Sequence, residues 1–246
     1  MDLSSNTVLV TGGASGIGLA FTRRFLAAGS RVIICGRREE SLAQARRENP
    51  GVATRVCDLA EETARAALCD WLLREHPDLN VLVHNAGIQR RIELARDEPW
   101  ERTHEEIAIN LEAPIHLTRL LLPHLATKKR AAIIHIGSGL AFAPLARVPV
   151  YCATKAAIHS FTVSLRHQLE GTPIRVVEVA PPAVDTDLGG PGLHKFGVAV
   201  EELLDFVFPR LEAGDLEIAY GFAAQSSRAS REEIDAIVRR MNAPEA

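Results

Sequence analysis

Apolar residues in this chain follow two rhythms. Short runs such as TVLV at 7–10, RVIIC at 31–35, LNVLV at 79–83, AAIIHI at 131–136 and IRVVEV at 174–179 are apolar at nearly every position. Runs of that length, apolar on both faces, suit strands buried in the middle of a parallel sheet. Between them lie longer stretches in which apolar residues recur three or four positions apart among charged ones, the period of a helix with one buried face. The two patterns predict strands near 7–11, 31–35, 52–57, 80–84, 131–137, 174–179 and 216–220, and helices near 17–28, 38–48, 60–75, 99–126, 151–170 and 201–213. Strands and helices alternate without a linker or internal repeat. That order predicts one α/β domain over residues 1–246, a doubly wound parallel sheet with helices on both faces. Ligands of such sheets lie outside the carboxyl ends of the strands, where the strand order reverses.

Chemistry concentrates at those ends. After the first strand, Gly12, Gly16 and Gly18 stand in the order T-G-x-x-x-G-x-G, with Ser15 and Ile17 among them and a helical pattern following. Glycine lets the backbone turn tightly and approach a pyrophosphate, whose charge is favoured by the free N–H groups of the following helix. A plain strand-to-helix turn is the alternative, but a strand before and a helix after supply the context a dinucleotide needs. Farther along stand Ser138, Tyr151 and Lys155. Tyr151 and Lys155, at i and i+4 in a segment without Gly or Pro, share a helix face. An ammonium beside a phenol lowers its pKa from about 10 toward neutrality. Such a phenol can exchange a proton with an alcohol or carbonyl oxygen that Ser138 also binds. Taken alone, the same pair also fits a solvated helix surface.

Composition narrows the picture. With 28 basic and 31 acidic residues the formal net charge is −3, which argues against nucleic-acid or membrane partners. Cys35, Cys57, Cys69 and Cys152 have no paired C-x-x-C spacing and read as reduced core thiols. No charged-then-apolar leader opens the chain and no run of about 18 apolar residues occurs, so a cytoplasmic location is expected. The nine histidines show no H-E-x-x-H spacing, and no metal is expected.

Together these motifs resemble the short-chain dehydrogenase/reductase superfamily in its single-domain form, from about Thr7 to Thr186. Two further elements carry the resemblance: Asn85-Ala86-Gly87 after the fourth strand and Asn110 in EIAINLEAP. The wording VIICGRR, LNVLVHNAGIQ and APPAVDT is similar to the DltE-type oxidoreductases of that superfamily. The resemblance implies a Rossmann-type fold and hydride transfer between nicotinamide C4 and the carbon of a carbonyl or carbinol. It implies Tyr151 as general acid and base, Ser138 as holder of the substrate oxygen, and Lys155 as ligand of the nicotinamide ribose that also depresses the phenol pKa. Asn110 would position a water joining Lys155 to solvent. It further implies that Gly12, Ser15, Gly16, Ile17, Gly18, Asn85, Ala86, Gly87, Pro181, Val184 and Thr186 contact the cofactor. Asp58 and Leu59 resemble the pair that brackets the adenine, with a helix-capping Asp58 as the alternative. NAD-preferring relatives place an acidic residue at the end of the second strand. Here Gly36 stands there, followed by Arg37 and Arg38, which can pair with a 2′-phosphate. NADP(H) is therefore favoured over NAD(H), although Ser15 occupies a position often basic in NADP-dependent relatives.

Other residues depart from the family pattern or lie beyond it. His84 precedes Asn85 where relatives often carry Asn, and reads as a hydrogen-bonded residue at the core edge. Pro181-Pro182 replaces the more frequent Pro-Gly and stiffens the nicotinamide pocket. Residues 187–200, Gly-rich with Leu188, Leu193 and Phe196, read as a substrate lid. Leu140 and Phe142 suggest a hydrophobic carbonyl or secondary alcohol, whereas Arg90, Arg91 and Arg147 suggest an anionic one. Small residues Ala153, Ala156, Ala157, Ser160 and Ser164, with LTRLLLPHL before them, match helices that relatives pair in homodimers or homotetramers. The tail, 222–246, holds a capping box at Ser230–Glu233 and an apolar stripe of Ile234, Ile237, Val238 and Met241. It is expected to dock on its own subunit or a neighbour, over part of the active-site entrance. The expected function is an NADP(H)-dependent oxidoreductase of a small-molecule carbonyl or alcohol. The alternative is a cofactor-binding regulatory or scaffold protein without turnover.

Overall fold

A computed structural model describes residues 1–96 and 99–243; the last three residues of the expected tail segment lie outside them. The described strands are β1 (Thr7–Thr11), β2 (Arg31–Gly36), β3 (Ala53–Val56), β4 (Val81–His84), β5 (Ala131–Ile136), β6 (Ile174–Ala180) and β7 (Glu217–Ala219). They form one sheet in the order β3-β2-β1-β4-β5-β6-β7, and every pairing is parallel. The order reverses between β1 and β4, so the crevice for a ligand opens at their carboxyl ends. This is the doubly wound Rossmann-type domain that the alternating pattern predicts.

Side chains alternate across the sheet and build two cores. Val8, Val10, Ile34, Ile134, Val177 and Val179 face α1 (Gly16–Ala27) and, later in the chain, α7 (Val200–Ala213). There Phe21, Phe25 and Phe208 pack with ring centroids 5.3 to 6.4 Å apart. Leu9, Ile33, Leu82, Ile133 and Val176 face the other way, toward α3 (Glu62–Glu75), α5 (Ala113–Leu125) and α6 (Pro149–Gln168). Truncating a fully buried phenylalanine in such a core costs about 3–5 kcal/mol, so either layer alone can decide whether the sheet stands. A short α2 (Glu39–Glu48) links β2 to β3.

Three local departures from the expected elements bear on the site. The helix expected over 99–126 is α4 (Trp100–Ile107), a π-helical turn (Ala108–Glu112) and then α5. A π turn inserts one extra residue and re-aims its side chains, and Asn110 sits inside it. The helix expected from 151 begins at Pro149, whose fixed φ and missing N–H suit a first turn. A short α8 (Phe222–Ser226), too brief to show a period in sequence, packs against the 3₁₀ turn Gly139–Ala141.

The last helix, α9 (Arg231–Met241), opens with both bonds of the capping box at Ser230 and Glu233. Asn242 fastens its far end: Ala146 N–H donates to Asn242 Oδ1 at 2.6 Å, and Asn242 Nδ2 donates to Pro144 O at 3.1 Å. The four cysteines are unpaired and buried. Among the described residues no helix is long and apolar enough to cross a membrane.

Candidate active site

A cleft of about 1460 Å³ opens over the carboxyl ends of β1, β2, β4, β5 and β6. Its floor begins with the turn after β1. Gly16 has φ +51°, a left-handed conformation that side chains strain to adopt. A Cβ on Gly18 would stand 2.4 Å from both Asn85 Nδ2 and the Gly12 carbonyl oxygen. Only glycine permits that approach. Ser15 precedes α1 with extended backbone and makes no side-chain cap bond, and the first turn of α1 contains no acidic residue. The helix therefore presents uncapped N–H groups and its positive end to the cleft, the donor set a pyrophosphate needs.

The Asn85-Ala86-Gly87 turn is tied to that loop by Thr11, whose role the sequence reading missed. Thr11 Oγ1 accepts from the N–H groups of Asn85 and Ala86, each at 3.0 Å. Asn85 Nδ2 in return donates to Thr11 O at 2.9 Å and to Gly12 O at 3.3 Å. The signal lay in plain view as the first letter of T-G-x-x-x-G-x-G. Thr186 closes the other side, with its Cγ2 beside Gly16, and Ile17, Pro181 and Val184 line the same cleft.

At the cofactor end, Gly36, Arg37, Arg38, Asp58 and Leu59 all line the cleft. Asp58 Oδ1 accepts from Ala60 N–H at 3.0 Å, while α3 starts only at Glu62, so Asp58 shapes a turn and is not the helix cap. Buried Arg65 fixes the loop by donating to Leu59 O at 2.6 Å and Ala60 O at 3.1 Å. Arg37 is already engaged: it pairs with Glu105, which also holds Arg90, and it stands 3.9 Å from Asp58. Arg90 first, then Arg37, holds the Glu105 carboxyl below its usual range.

Ser138, Tyr151, Lys155 and Asn110, expected from the sequence to handle a proton, converge in the same cleft. Ser138, in extended backbone just past β5, accepts from Leu140 N–H at 3.1 Å, and its hydroxyl acts on the Tyr151 phenol. Tyr151 and Lys155 stand one turn apart on α6, and the Lys155 ammonium lies 5.6 Å from the tyrosine ring centroid. Lys155 Nζ donates to Ile136 O at 2.7 Å. Asn110 is pinned by a reciprocal pair: Ile88 N–H donates to its Oδ1 at 2.9 Å, and its Nδ2 donates to Ile88 O at 2.8 Å. A second donation from Nδ2 reaches Thr154 Oγ1 at 3.3 Å, on the helix of Tyr151 and Lys155. The π turn and these three bonds bring Asn110 to Gly87, whose added Cβ would meet Asn110 Oδ1 at 3.4 Å and Lys155 Nζ at 3.9 Å.

Electrostatics differ from the sequence expectation in one respect. Burial pushes the Tyr151 phenol above its ordinary value; the Ser138 hydroxyl opposes this, and Cys152 and Glu106 add to it. Lys155, whose hydrogen bond goes to a carbonyl, is not among the groups that offset that desolvation. Burial lowers Lys155 to about 8, with Glu178 acting to raise it. Glu178 was not singled out from the sequence, although a carboxylate in the apolar run IRVVEVA is a visible anomaly. It lies in register with His135, which lies in register with His84, so three polar residues cross three central strands. The two imidazoles stack at 5.0 Å, and His84 Nε2 meets Thr118 Oγ1 at 3.0 Å, as expected of a hydrogen-bonded residue at the core edge. His159 Nδ1 lies 2.7 Å from Glu178 Oε2, whereas Glu178 Oε1 and His135 Nε2 have no hydrogen-bond partner among the described residues. Glu106, fully enclosed and four residues before Asn110 in the chain, is pushed by burial to about 7.

Among the described residues no cluster of His, Cys, Asp and Glu has the arrangement of a metal site.

Comparison with known proteins agrees with this geometry. A profile of the short chain dehydrogenase family matches residues 6–194. A Bacillus subtilis (strain 168) protein described as uncharacterized oxidoreductase DltE is 45% identical over 251 residues, covering 100% of both chains. Sulfoacetaldehyde reductase 2 of Chromohalobacter salexigens is 36% identical over 187 residues, 74% of each chain. Among solved structures, a short chain dehydrogenase from Burkholderia cenocepacia J2315 in complex with NADP superposes with a TM-score of 0.84 at 27% identity, covering 99% of this chain and 100% of that one. A buried Ser-Tyr-Lys corner facing a glycine cradle, on a sheet of this order and with relatives of this kind, has one reading: the chain belongs to the short chain dehydrogenase family and is an oxidoreductase of that family.

Proposed function

We propose that this chain is an NADPH-preferring oxidoreductase that moves hydride between nicotinamide C4 and the carbon of a small-molecule carbonyl or secondary alcohol. The observation that carries the reading is the convergence of Ser138, Tyr151 and Lys155 in one buried corner of the cleft whose opposite half is the glycine cradle. Bound nicotinamide supplies the hydride chemistry. The uncapped start of α1 and the N–H groups around Gly16 to Gly18 hold the pyrophosphate. Thr11 and Asn85 keep that loop in shape, and Asp58 and Leu59 flank the adenine. Lys155 holds the nicotinamide ribose, and Pro181, Val184 and Thr186 face the carboxamide end. Arg37 and Arg38, in the absence of an acidic residue at the end of β2, receive the 2′-phosphate. The Burkholderia neighbour crystallised with NADP supports that choice.

Ser138 binds the substrate oxygen. Tyr151, kept protonated by burial, gives its proton to that oxygen as hydride arrives at carbon. A protonated phenol is the form that donates to a carbonyl oxygen. The name of the Chromohalobacter relative, a reductase of an aldehyde, supports the direction of carbonyl reduction. Asn110, through Ile88 and Thr154, orients the water that returns a proton to Lys155. Residues 187–200 form a lid carrying exposed Leu193 and Phe196 over the substrate end. Outward-facing Ala153, Ser160 and Ser164 on α6 let a second copy pack closely, giving a homo-oligomer. The four unpaired thiols suit a reducing, cytoplasmic compartment.

The test is titration of the purified protein with NADPH and with NADH, read by nicotinamide fluorescence, followed by NADPH oxidation against a panel of ketones, aldehydes and quinones. Tighter NADPH binding with consumption on any carbonyl supports the reading. Failure to bind either nucleotide sinks it.

A further inference from the structure

The cleft is far more basic than the chain around it. The protein has net charge −3. Yet besides Arg37 and Arg38 the cleft is lined by Arg90, Arg91, Arg102, Arg147 and Arg240, against Asp58, Asp185 and Asp187; of these arginines, Arg90 shares Glu105 with Arg37. Exposed arginines scattered over a surface mean little. Arg91, Arg147 and Arg240 are not scattered, because hydrogen bonds gather two separate segments onto the 144–148 loop. Ile92 N–H donates to Arg147 O at 3.3 Å, which sets neighbouring Arg91 beside residues 144–148. The two bonds of Asn242 to Pro144 and Ala146 clamp the end of α9 onto the same loop and bring Arg240 to the rim. Leu145 and Val148 of that loop line the cleft with Ser138 and Tyr151. Arg90 is held in place by Glu105 and by the Arg102 carbonyl. Arg91 and Arg240 remain exposed, with no ion pair among the described residues. Leu140 and Leu188 pack against Tyr151 and Val148, and Met241, next to Arg240 in the chain, lines the same cleft.

We propose that the substrate carries an oxyanionic end group of the carboxylate or sulfonate kind, joined to the reacting carbonyl by a short apolar spacer, and that Arg240 and Arg91 receive it. The inference rests on the reductase reading above and narrows it. Guanidinium is the group of choice for a planar or tetrahedral oxyanion, and the apolar side chains beside Tyr151 and next to Arg240 match the spacer. Hydride still passes from NADPH to the carbonyl carbon and the proton from Tyr151 to its oxygen; the anion forms and breaks no bond. The C-terminal helix thereby becomes part of substrate selection, which explains why it is fastened at its far end.

The test compares acetoacetate, levulinate and 5-oxohexanoate with their methyl esters, which keep the ketone and remove the charge. With NADPH at low salt, the best acid is expected to exceed its ester about ten-fold in kcat/KM, the fold-change of one charge-assisted contact. That advantage should shrink at about 0.5 M salt. Arg240→Gln should lower the acid-to-ester ratio about five-fold or more, and Arg91→Gln should act in the same direction. Esters equal to or better than acids in all three pairs would overturn the inference and leave the reductase reading standing. If no carbonyl is reduced, calorimetric titration of the same acids into the protein with NADP+ decides. Salt-sensitive binding weakened by Arg240→Gln would support the anion site and overturn the reductase reading, whereas no binding would overturn the anion site itself.

Discussion

Exchanging Glu178 for Gln tests how the fold keeps Lys155 charged. Lys155 is buried, its ammonium makes one hydrogen bond, to Ile136 O at 2.7 Å, and burial lowers it from 10.5 to about 8. Glu178 is the charge that opposes this fall. The surrounding titratable groups are His135 on β5 and His84 on β4, both held neutral by burial, Tyr151 and His159 on α6, and Arg166 with its partner Glu217. Lys155 and Glu178 are not in ion-pair contact, so at an effective dielectric of about 20 their attraction is on the order of 1–2 kcal/mol, about one pKa unit. Because the folded lysine is protonated below about pH 8 and loses its charge above it, cofactor capture should decline along an alkaline limb near that value. Glu178→Gln should move the limb about one unit toward acid. The assay is kcat/KM for NADPH against pH, which reports groups of the free enzyme, with thermal melts as the control for folding. Glu178 Oε1 has no hydrogen-bond partner among the described residues, so losing its charge relieves a desolvation cost and the variant should stay folded. A limb that stays in place or moves to higher pH refutes the coupling.

Other substitutions probe separate parts of the cleft. Gly18→Ala drives a methyl to 2.4 Å from Asn85 Nδ2 and the Gly12 carbonyl; the resulting shift should cost about 1–3 kcal/mol of stability and weaken NADPH binding, and an unchanged melting temperature and Kd would contradict the close approach. Arg37→Ser should weaken NADPH about ten-fold or more while leaving NADH nearly as before. Glu105→Gln, which releases Arg37, should tighten NADPH a few-fold; fluorescence titration reads both, and equal effects on the two nucleotides would remove the 2′-phosphate role. Truncation after Ser227 deletes α9 and its clamp, and should raise the KM for substrate about three-fold or more while NADPH binding persists; steady-state kinetics that match the full chain would sever the helix from the entrance.

The sheet was legible because its strands are apolar on both faces and its helices on one, and those two periods do not mimic each other. The glycine turn, Asn85-Ala86-Gly87 and the Ser138, Tyr151, Lys155 set were legible because each obeys a local spacing. What stayed hidden depends on contacts between distant segments. The π turn at Asn110 is fixed by the Ile88 backbone, 22 residues away in the chain. Glu178 acquires its meaning only when parallel register sets it beside His135 and when α6 brings His159 to it. Arg37 reads in the sequence as a partner for a 2′-phosphate, and only the fold shows that a helix far along the chain supplies Glu105 to hold it. The phenol shift was misjudged for a related reason: helix spacing shows that Lys155 is near Tyr151, and it does not show how deeply both are buried.

The central claim is that Tyr151 delivers the proton while the rest of the cleft holds NADPH. Its most direct test is Tyr151→Phe, comparing the NADPH Kd by fluorescence and single-turnover reduction of the best carbonyl with those of the unaltered protein. The account predicts turnover reduced by about 10²–10⁴-fold, the worth of a positioned general acid, with nucleotide affinity nearly unchanged. Turnover retained within a few-fold in the phenylalanine variant would contradict it.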